Sequence, residues 1–284
     1  MSDVLAVIQD FDLDAYLDRI GLKERPALDA EGLAIVQRAQ RLSIPFENLD
    51  ILLGRGISLN PEDVFDKIVA RRRGGYCFEQ NGLFLRALLA LGFEAYPLLA
   101  RVWLNATDTP SKTHTLNLVT IEEEHWIADA GFGGSFTPPM RLAVGEVPAP
   151  DGARYRLTRD ETYGWMLERQ GSSETTEGGS ESAGKDWVPQ YSFRTDRVWA
   201  ADLAQASHFT STTPDGIFVN NAMVSIVLPN GFASLINRDY SRSSGKGTEK
   251  SEMASEKALQ MRLSLMFGID LSAEEIAALG LFPA

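Results

Sequence analysis

The chain holds one cysteine, Cys77, so it cannot close an internal disulfide. That points to a reducing compartment and leaves a single thiol to be explained. Histidine is scarce as well. His114, His125 and His208 are the whole complement, no grouping has the spacing of a metal site, and no metal is expected. Basic residues are in deficit, 27 Lys plus Arg against 39 Asp plus Glu, and the net charge of −12 repels nucleic-acid phosphates and anionic membrane faces. Neither is expected as a partner, although a local cationic patch or a helix N-terminus can still hold a small anion. No stretch approaches the roughly 18 consecutive apolar residues of a membrane span. The opening Met1-Ser2-Asp3-Val4 lacks the basic start of a secretory leader, so a cytoplasmic location is expected.

What is present is the composition of a globular protein, 44% hydrophobic and 23% charged over 284 residues. That length allows one to three domains of about 100–200 residues each. The first eighty or so residues read as helices. Apolar positions cluster around 14–20 before Gly21, recur over 33–42 before Pro45, and follow an Asn60 cap and Pro61 into Val64, Phe65, Ile68 and Val69. A fourth helix is expected over 78–91, where Leu83, Phe84, Ala87, Leu88 and Leu91 precede Gly92, which sets Cys77 at a helix N-terminus. From Phe93 the pattern changes to strands, expected at 95–104, 115–121, 125–129, 154–158, 164–169 and 190–193. Residues 171–185 are Ser, Gly, Glu and Thr with little else and read as a surface loop. Strands at 224–228 and 233–237, a helix over 252–267 and a short helix opened by a Ser272/Glu275 capping box complete the chain.

A cysteine thiol with a pKa of about 8.5 is mostly protonated near neutrality and needs help to act as a nucleophile. Three features offer it: the helix start, the nearby cationic run Arg71-Arg72-Arg73, and a histidine as proton acceptor. His114 opens a strand after the loop 105–113, and Asp129 lies just past the apolar Trp126-Ile127. A hairpin between those strands brings the carboxylate within reach of the imidazole, where it would fix the tautomer. The plain alternatives are an inert buried cysteine, a satisfied strand histidine and a turn aspartate. Spacing alone leaves the triad as one possibility among these. His125, after three glutamates, reads as exposed, and His208 as a residue that could line a cleft.

The segment Arg73-Gly74-Gly75-Tyr76-Cys77-Phe78-Glu79-Gln80-Asn81 resembles the active-site signature of the arylamine N-acetyltransferases. Further resemblances follow in the same order as in that family: Ile44-Pro45-Phe46-Glu47-Asn48-Leu49, Thr113-His114, Ala128-Asp129-Ala130-Gly131-Phe132-Gly133 and Phe209-Thr210-Ser211. The resemblance implies an α+β fold with a papain-like cysteine-transferase arrangement. It comprises an N-terminal helical bundle (1–92), a β-barrel middle domain (93–198) and a C-terminal α/β lid (199–284). It further implies a catalytic Cys77, His114 and Asp129, with acetyl-CoA as acyl donor, no metal, and a small aromatic amine, hydrazine or N-hydroxyarylamine as acceptor. Phe46, Val102, Phe132 and Phe209 would wall the acceptor pocket, Gly133, Thr210, Ser211 and Thr212 would contact CoA, and Arg73 and Glu47 would serve structure. The backbone N–H of Cys77 would contribute to an oxyanion hole. Rival readings are a macrolactam-forming amide synthase fed by an acyl carrier, a cysteine hydrolase, and a non-enzymatic protein that binds an aromatic ligand. The sequence leaves the oligomeric state open.

Overall fold

Three of the first helices begin where a short polar side chain takes up a free backbone N–H. The computed structural model describes residues 11–134, 136–149, 152–170, 187–244 and 247–282, and the loop expected at 171–185 lies outside them. Helix α1 (Leu13–Arg19) is capped by Asp12, which accepts from Ala15 N–H at 3.0 Å, and α2 (Ala30–Ser43) by Asp29, which accepts from Gly32 N–H at 2.8 Å. The chain then forms the two-residue strand β1 (Phe46–Glu47), the short helix α3 (Leu49–Leu52), and α4 (Pro61–Phe65), where Asn60 accepts from Glu62 N–H. Helix α4 runs into a π-helical turn at Asp66–Ala70. Helix α5 (Cys77–Leu91) follows, with the thiol on its first residue and Gly92 closing it in the left-handed conformation. Tyr16, Leu33, Val36, Ile68, Leu83, Phe84 and Leu88 form one core, shared with Val119 and Ala128 of the neighbouring sheet.

Gly82 sits inside α5 without a steric reason. Its φ is not positive, and a Cβ there would meet nothing within 4 Å. Glycine in a helix interior costs about 1 kcal/mol relative to alanine. Gly82→Ala is therefore expected to stabilise the protein by about 1 kcal/mol, read as a higher urea midpoint at unchanged slope. An unmoved midpoint would mean that Gly82 is not strained by entropy alone.

The middle of the chain is an eight-stranded antiparallel sheet that curls into a barrel-like form. Its strands are β2 (Glu94–Val102), β3 (Lys112–Ile121), β4 (Glu124–Ala128), β5 (Met140–Arg141), β6 (Gly145–Pro148), β7 (Arg154–Asp160), β8 (Gly164–Gln170) and β9 (Val188–Phe193). They lie in the order β5-β4-β3-β2-β9-β8-β7-β6, around Leu98, Leu116, Leu118, Tyr155, Leu167 and Tyr191. The ladder between β2 and β3 pairs Ala100 with His114 but Arg101 with Lys112, so Thr113 is an extra residue on β3, a β-bulge. His114 therefore sits inside the strand, the third residue of β3, rather than at its opening as the sequence suggested.

The C-terminal third adds α6 (Ala200–Thr212), α7 (Ile217–Asn220), β10 (Met223–Leu228), β11 (Gly231–Ile236), β12 (Asp239–Ser244), β13 (Gly247–Glu252), α8 (Glu256–Phe267) and α9 (Ala273–Ala278). The helix expected from 252 starts four residues later, because Glu252 still belongs to β13 and Ser255 caps α8 by accepting from Ala258 N–H. The second sheet has the order β1-β10-β11-β12-β13, so Phe46 and Glu47, early in the sequence, form its edge against Ser225 and Val224. Leu49 packs with Val224, Leu235 and Leu263 in the core beneath that sheet. Residues 46–52 thus tie the helical region to the C-terminal sheet. Among the described residues no helix is long and apolar enough to cross a membrane.

Candidate active site

Cys77 is 3% exposed at the head of α5, in a cluster with Phe46, Tyr76, Phe78, Leu99 and Met223. Its Sγ–H donates to the carbonyl of Thr113 at 3.7 Å, so the bulge on β3 presents a backbone oxygen to the thiol one residue before His114. The His114 ring is buried, and its Nε2 lies 2.7 Å from Asp129 Oδ2. Nδ1 is then the ring nitrogen left to exchange a proton.

One turn beyond Cys77 on the same face of α5, Asn81 joins the pieces. Its Nδ2 donates to Asp129 Oδ1 at 2.9 Å and to the Thr115 carbonyl at 2.6 Å, and its Oδ1 accepts from Ala130 N–H at 2.9 Å. Gln37 of α2 accepts from Asp129 N–H at 3.0 Å, and Gly131 and Phe132 N–H both donate to Asp129 Oδ1 at 3.0 Å. Gly131 has to be glycine for contact reasons. A Cβ there would come within 2.6 Å of Asn81 Nδ2 and 2.8 Å of the Cys77 carbonyl oxygen. Asn81 lies inside the Cys77 signature and Gln37 far from it; periodicity gave no sign of either role, because a helix-borne amide looks like a surface residue until its partners are known.

Electrostatics at the three residues follow from burial and this bonding. Burial pushes Asp129 up, but the charge and hydrogen bond of His114, with Asn81 and the Gly131 N–H, outweigh it and hold the carboxyl at about 2. The Cys77 thiol moves the other way, pushed up by burial and by the Asp129 charge, against the opposing pull of the Phe78 and Cys77 N–H groups. The helix start thus acts in the expected direction but is outweighed, and Arg71 and Arg73 of the arginine run are engaged elsewhere. Arg71 pairs with Asp66 at the surface, and Arg73 is committed to Glu47 at 2.7 Å and Asp50 at 3.3 Å. Loss of its proton to solvent would leave a buried thiolate beside the Asp129 charge. Passing the proton to His114 keeps the total charge of the buried site unchanged, and the Asp129 carboxylate stabilises the imidazolium that results.

Beside the start of α5 lies a buried ionic group that the sequence only hinted at through Arg73 and Glu47. Lys67 Nζ is 2.8 Å from Asp50, 2.9 Å from Glu79 and 3.8 Å from Glu47. Glu79 Oε2 accepts from Tyr76 N–H at 3.0 Å and so fixes the start of α5. Burial raises Glu79, Lys67 lowers it and Glu47 raises it again, leaving it at about 7 against an ordinary 4.5. A carboxyl raised in the fold stabilises below its unfolded value, and that contribution is lost as pH rises through the folded one. Relative to Glu79→Gln, which does not titrate, the native protein is expected to lose stability between about pH 5 and pH 8. Urea midpoints of the two proteins across that range test this, and parallel curves would remove Glu79 from the titration.

The other expected site residues are placed unevenly. Phe46 is buried in the Cys77 cluster, and the half-buried Phe132 ring stands edge-on to His114 at 5.0 Å. Tyr191, unnoticed in the sequence, lies 5.2 Å from both rings and is fully buried. Among the described residues its hydroxyl makes no hydrogen bond of ordinary geometry, although it stands near the Asp129 carboxylate. Val102 is half-buried, registered against Tyr191. Phe209 is 47% exposed on α6 and borders a cavity of about 450 Å³ with Leu99 and Lys112. Gly133 is half-buried, four residues past Asp129.

The segment after Phe209 is helical up to Thr212, and a turn follows at Pro214 and Asp215. Residues 209–212 are the last turn of α6, where Thr210 donates to the Ala206 carbonyl and Ser211 and Thr212 both donate to that of His208. Ser211 and Thr212 border a different cavity from Phe209, together with Ile51, Leu59 and His208. His208 is exposed there, and His125 is exposed at the start of β4. Hydroxyl protons spent on their own helix, at the carbonyl end of its dipole, do not suit a phosphate. Among the described residues no group of three or more His, Cys, Asp or Glu could hold a metal ion.

The sequence profile of the N-acetyltransferase family matches residues 29–276. The arylamine N-acetyltransferase of Mycolicibacterium smegmatis is 36% identical over 267 residues, covering 92% of this chain and 92% of its own. An arylamine N-acetyltransferase / N-hydroxyarylamine O-acetyltransferase of Salmonella typhimurium is 32% identical, with 92% and 89% covered. Among solved structures, the Salmonella typhimurium arylamine N-acetyltransferase superposes with a TM-score of 0.86 at 31% identity, over 95% of this chain and 98% of that one. The Mycobacterium marinum enzyme in complex with CoA gives 0.83 at 33% identity, over 94% and 98%.

Proposed function

This chain belongs to the arylamine N-acetyltransferase family, and we propose that it moves an acetyl group from acetyl-CoA to arylamines, arylhydrazines or N-hydroxyarylamines through an acetyl-cysteine at Cys77. The observation that supports this most is the buried His114–Asp129 pair joined through Asn81 to the helix that begins with the thiol. In this reading the Cys77 proton passes to His114 Nδ1 as Sγ attacks the acetyl carbon, and His114 returns a proton to the departing CoA thiolate. The amine then attacks the thioester, His114 takes its proton, and the Cys77 thiol is restored. Asp129 keeps Nε2 protonated and orients the ring throughout. The backbone N–H of Cys77, at the first position of α5 where no helical carbonyl faces it, is suited to the developing oxyanion.

Phe46, Phe132 and Val102 make the aryl wall in this proposal, with Phe209 at its outer rim, since flat apolar surfaces suit an aromatic amine. Gly133 would allow a close backbone approach by the donor. Thr210, Ser211 and Thr212 keep only oxygen lone pairs, so a role toward CoA would be to accept from pantetheine amides rather than to bind phosphate. We extend the proposal to a papain-like division at 1–92, 93–198 and 199–284, with residues 46–52 exchanged into the last part.

Intact mass after incubation with acetyl-CoA alone is expected to show one added acetyl group on Cys77, removed on adding an aromatic amine or hydrazine. An adduct-free protein whose Cys77 still alkylates would turn the reading toward a carrier-fed amide synthase or a hydrolase. Binding of an aromatic ligand with no turnover would turn it toward a binding protein.

A further inference from the structure

Phe78, the residue after Cys77, also walls a cavity of about 370 Å³ whose lining includes none of Cys77, His114, Asp129, Phe46, Val102, Phe132 and Phe209. Its size falls in the range of roughly 300–1,000 Å³ usual for small-molecule sites. Val64, Leu89, Pro97 and Leu203, from α4, α5, β2 and α6, line it with apolar surface. Among the described residues its charged lining is Arg86, which already donates to the Pro61 carbonyl and lies over the Phe11 ring, and Arg197, which also borders the Phe209 cavity, with no carboxylate, although the chain carries −12. Arg197 lies over the Trp199 ring at 5.0 Å, and Trp199 is 56% exposed at this cavity, an aromatic face held in place by a cation. Gly82 supplies a second, independent observation. This helix-interior glycine, needed neither for a positive φ nor for a close backbone contact, lines the cavity, where any side chain would project into open space.

We propose that this cavity is a second ligand site, separate from the Cys77 cleft, for a small aromatic molecule bearing one negative charge. Its ring lies between Phe78 and Gly82, and its anion lies toward Arg197. The apolar walls supply most of the affinity, and Arg197 selects an acid over its neutral analogue. The missing side chain at position 82 keeps the space open.

The probe is 8-anilinonaphthalene-1-sulfonate, with N-phenyl-1-naphthylamine as its uncharged counterpart. One sulfonate dye per chain is expected to bind, undisplaced by saturating acetyl-CoA. Gly82→Leu, which fills the cavity, is expected to weaken binding of both dyes at least tenfold while acetylation of Cys77 by acetyl-CoA continues. Arg197→Gln is expected to weaken the sulfonate and leave the neutral dye unchanged. Binding to Gly82→Leu as tight as to the native protein overturns the proposal, as does displacement by acetyl-CoA or an equal effect of Arg197→Gln on both dyes. Failure of acetyl transfer leaves these measurements intact, so the two proposals fail separately.

Discussion

Cys77→Ala is expected to lower kcat by a factor of about 10⁶, the scale found when the nucleophile of a serine–histidine–aspartate triad is removed. The acetylated enzyme should vanish with it. No other side chain can take the role, because Cys77 is the only thiol in the chain. The fold should survive: the change deletes one sulfur from a cluster that Phe46, Tyr76, Phe78, Leu99 and Met223 still fill. A loss of about 1 kcal/mol is expected, the low end of large-to-small core substitutions. The measurements are CoA release under saturating donor and a urea midpoint. A variant that remained fully folded and still turned over would end the proposal of an acetyl-cysteine.

Asp129→Asn is expected to cost about 10⁴ in kcat, as the matching change does in such triads. If the asparagine presents its amide N–H to His114, Nε2 must accept, and the ring proton moves to Nδ1. That is the nitrogen required to take the proton of the thiol, so the base is blocked in place. The variant also removes a titration. Asp129 is held at about 2 against an ordinary 3.8, so its contribution to stability is complete above the ordinary value and is lost as pH falls through the folded one. The native protein should therefore lose stability on acidification toward about pH 2 more steeply than Asp129→Asn. Stopped-flow acetylation and acid unfolding curves test the two halves separately. Ordinary turnover in the asparagine variant would remove the carboxylate from the mechanism.

Much of this arrangement was legible in the sequence because it rests on local rules. Asn60 and Ser272 cap helices as expected, and Asp12 and Asp29, not marked as caps in the sequence, do so by the same rule. The 3.6-residue repeat over 78–91 located α5, and alternation located β2, β3 and β4 within a few residues. The misses share a cause. Strand β12 reads Asp-Tyr-Ser-Arg-Ser-Ser and β13 is largely exposed, so neither offers the alternation that marks a half-buried strand. Helix α6 buries only Ser207 and Thr210 fully, leaving almost no apolar stripe to read. At the site, the triad stood out through the family resemblance. Asn81, Gln37 and Lys67 did not, since their meaning lies in partners 34 to 92 positions away for the two amides and in three carboxylates gathered from separate elements for the lysine. Tyr191 was hidden because an aromatic in a strand is the expected core residue anyway.

The bulge at Thr113 gives β3 one residue of slack beside the nucleophile. Removing a residue from a strand ordinarily turns every later side chain to the other face. Here the pairings of Ala100 with His114 and Arg101 with Lys112 already skip Thr113, so its excision would leave both partnerships, and the face of the imidazole, as they are. Only the carbonyl that receives the thiol's hydrogen bond would go. In the history of this chain an insertion could thus have added an acceptor for the sulfur without disturbing the histidine next to it. The bulge is thus the one point in the β2–β3 ladder where a residue can be gained or lost while the imidazole keeps its face.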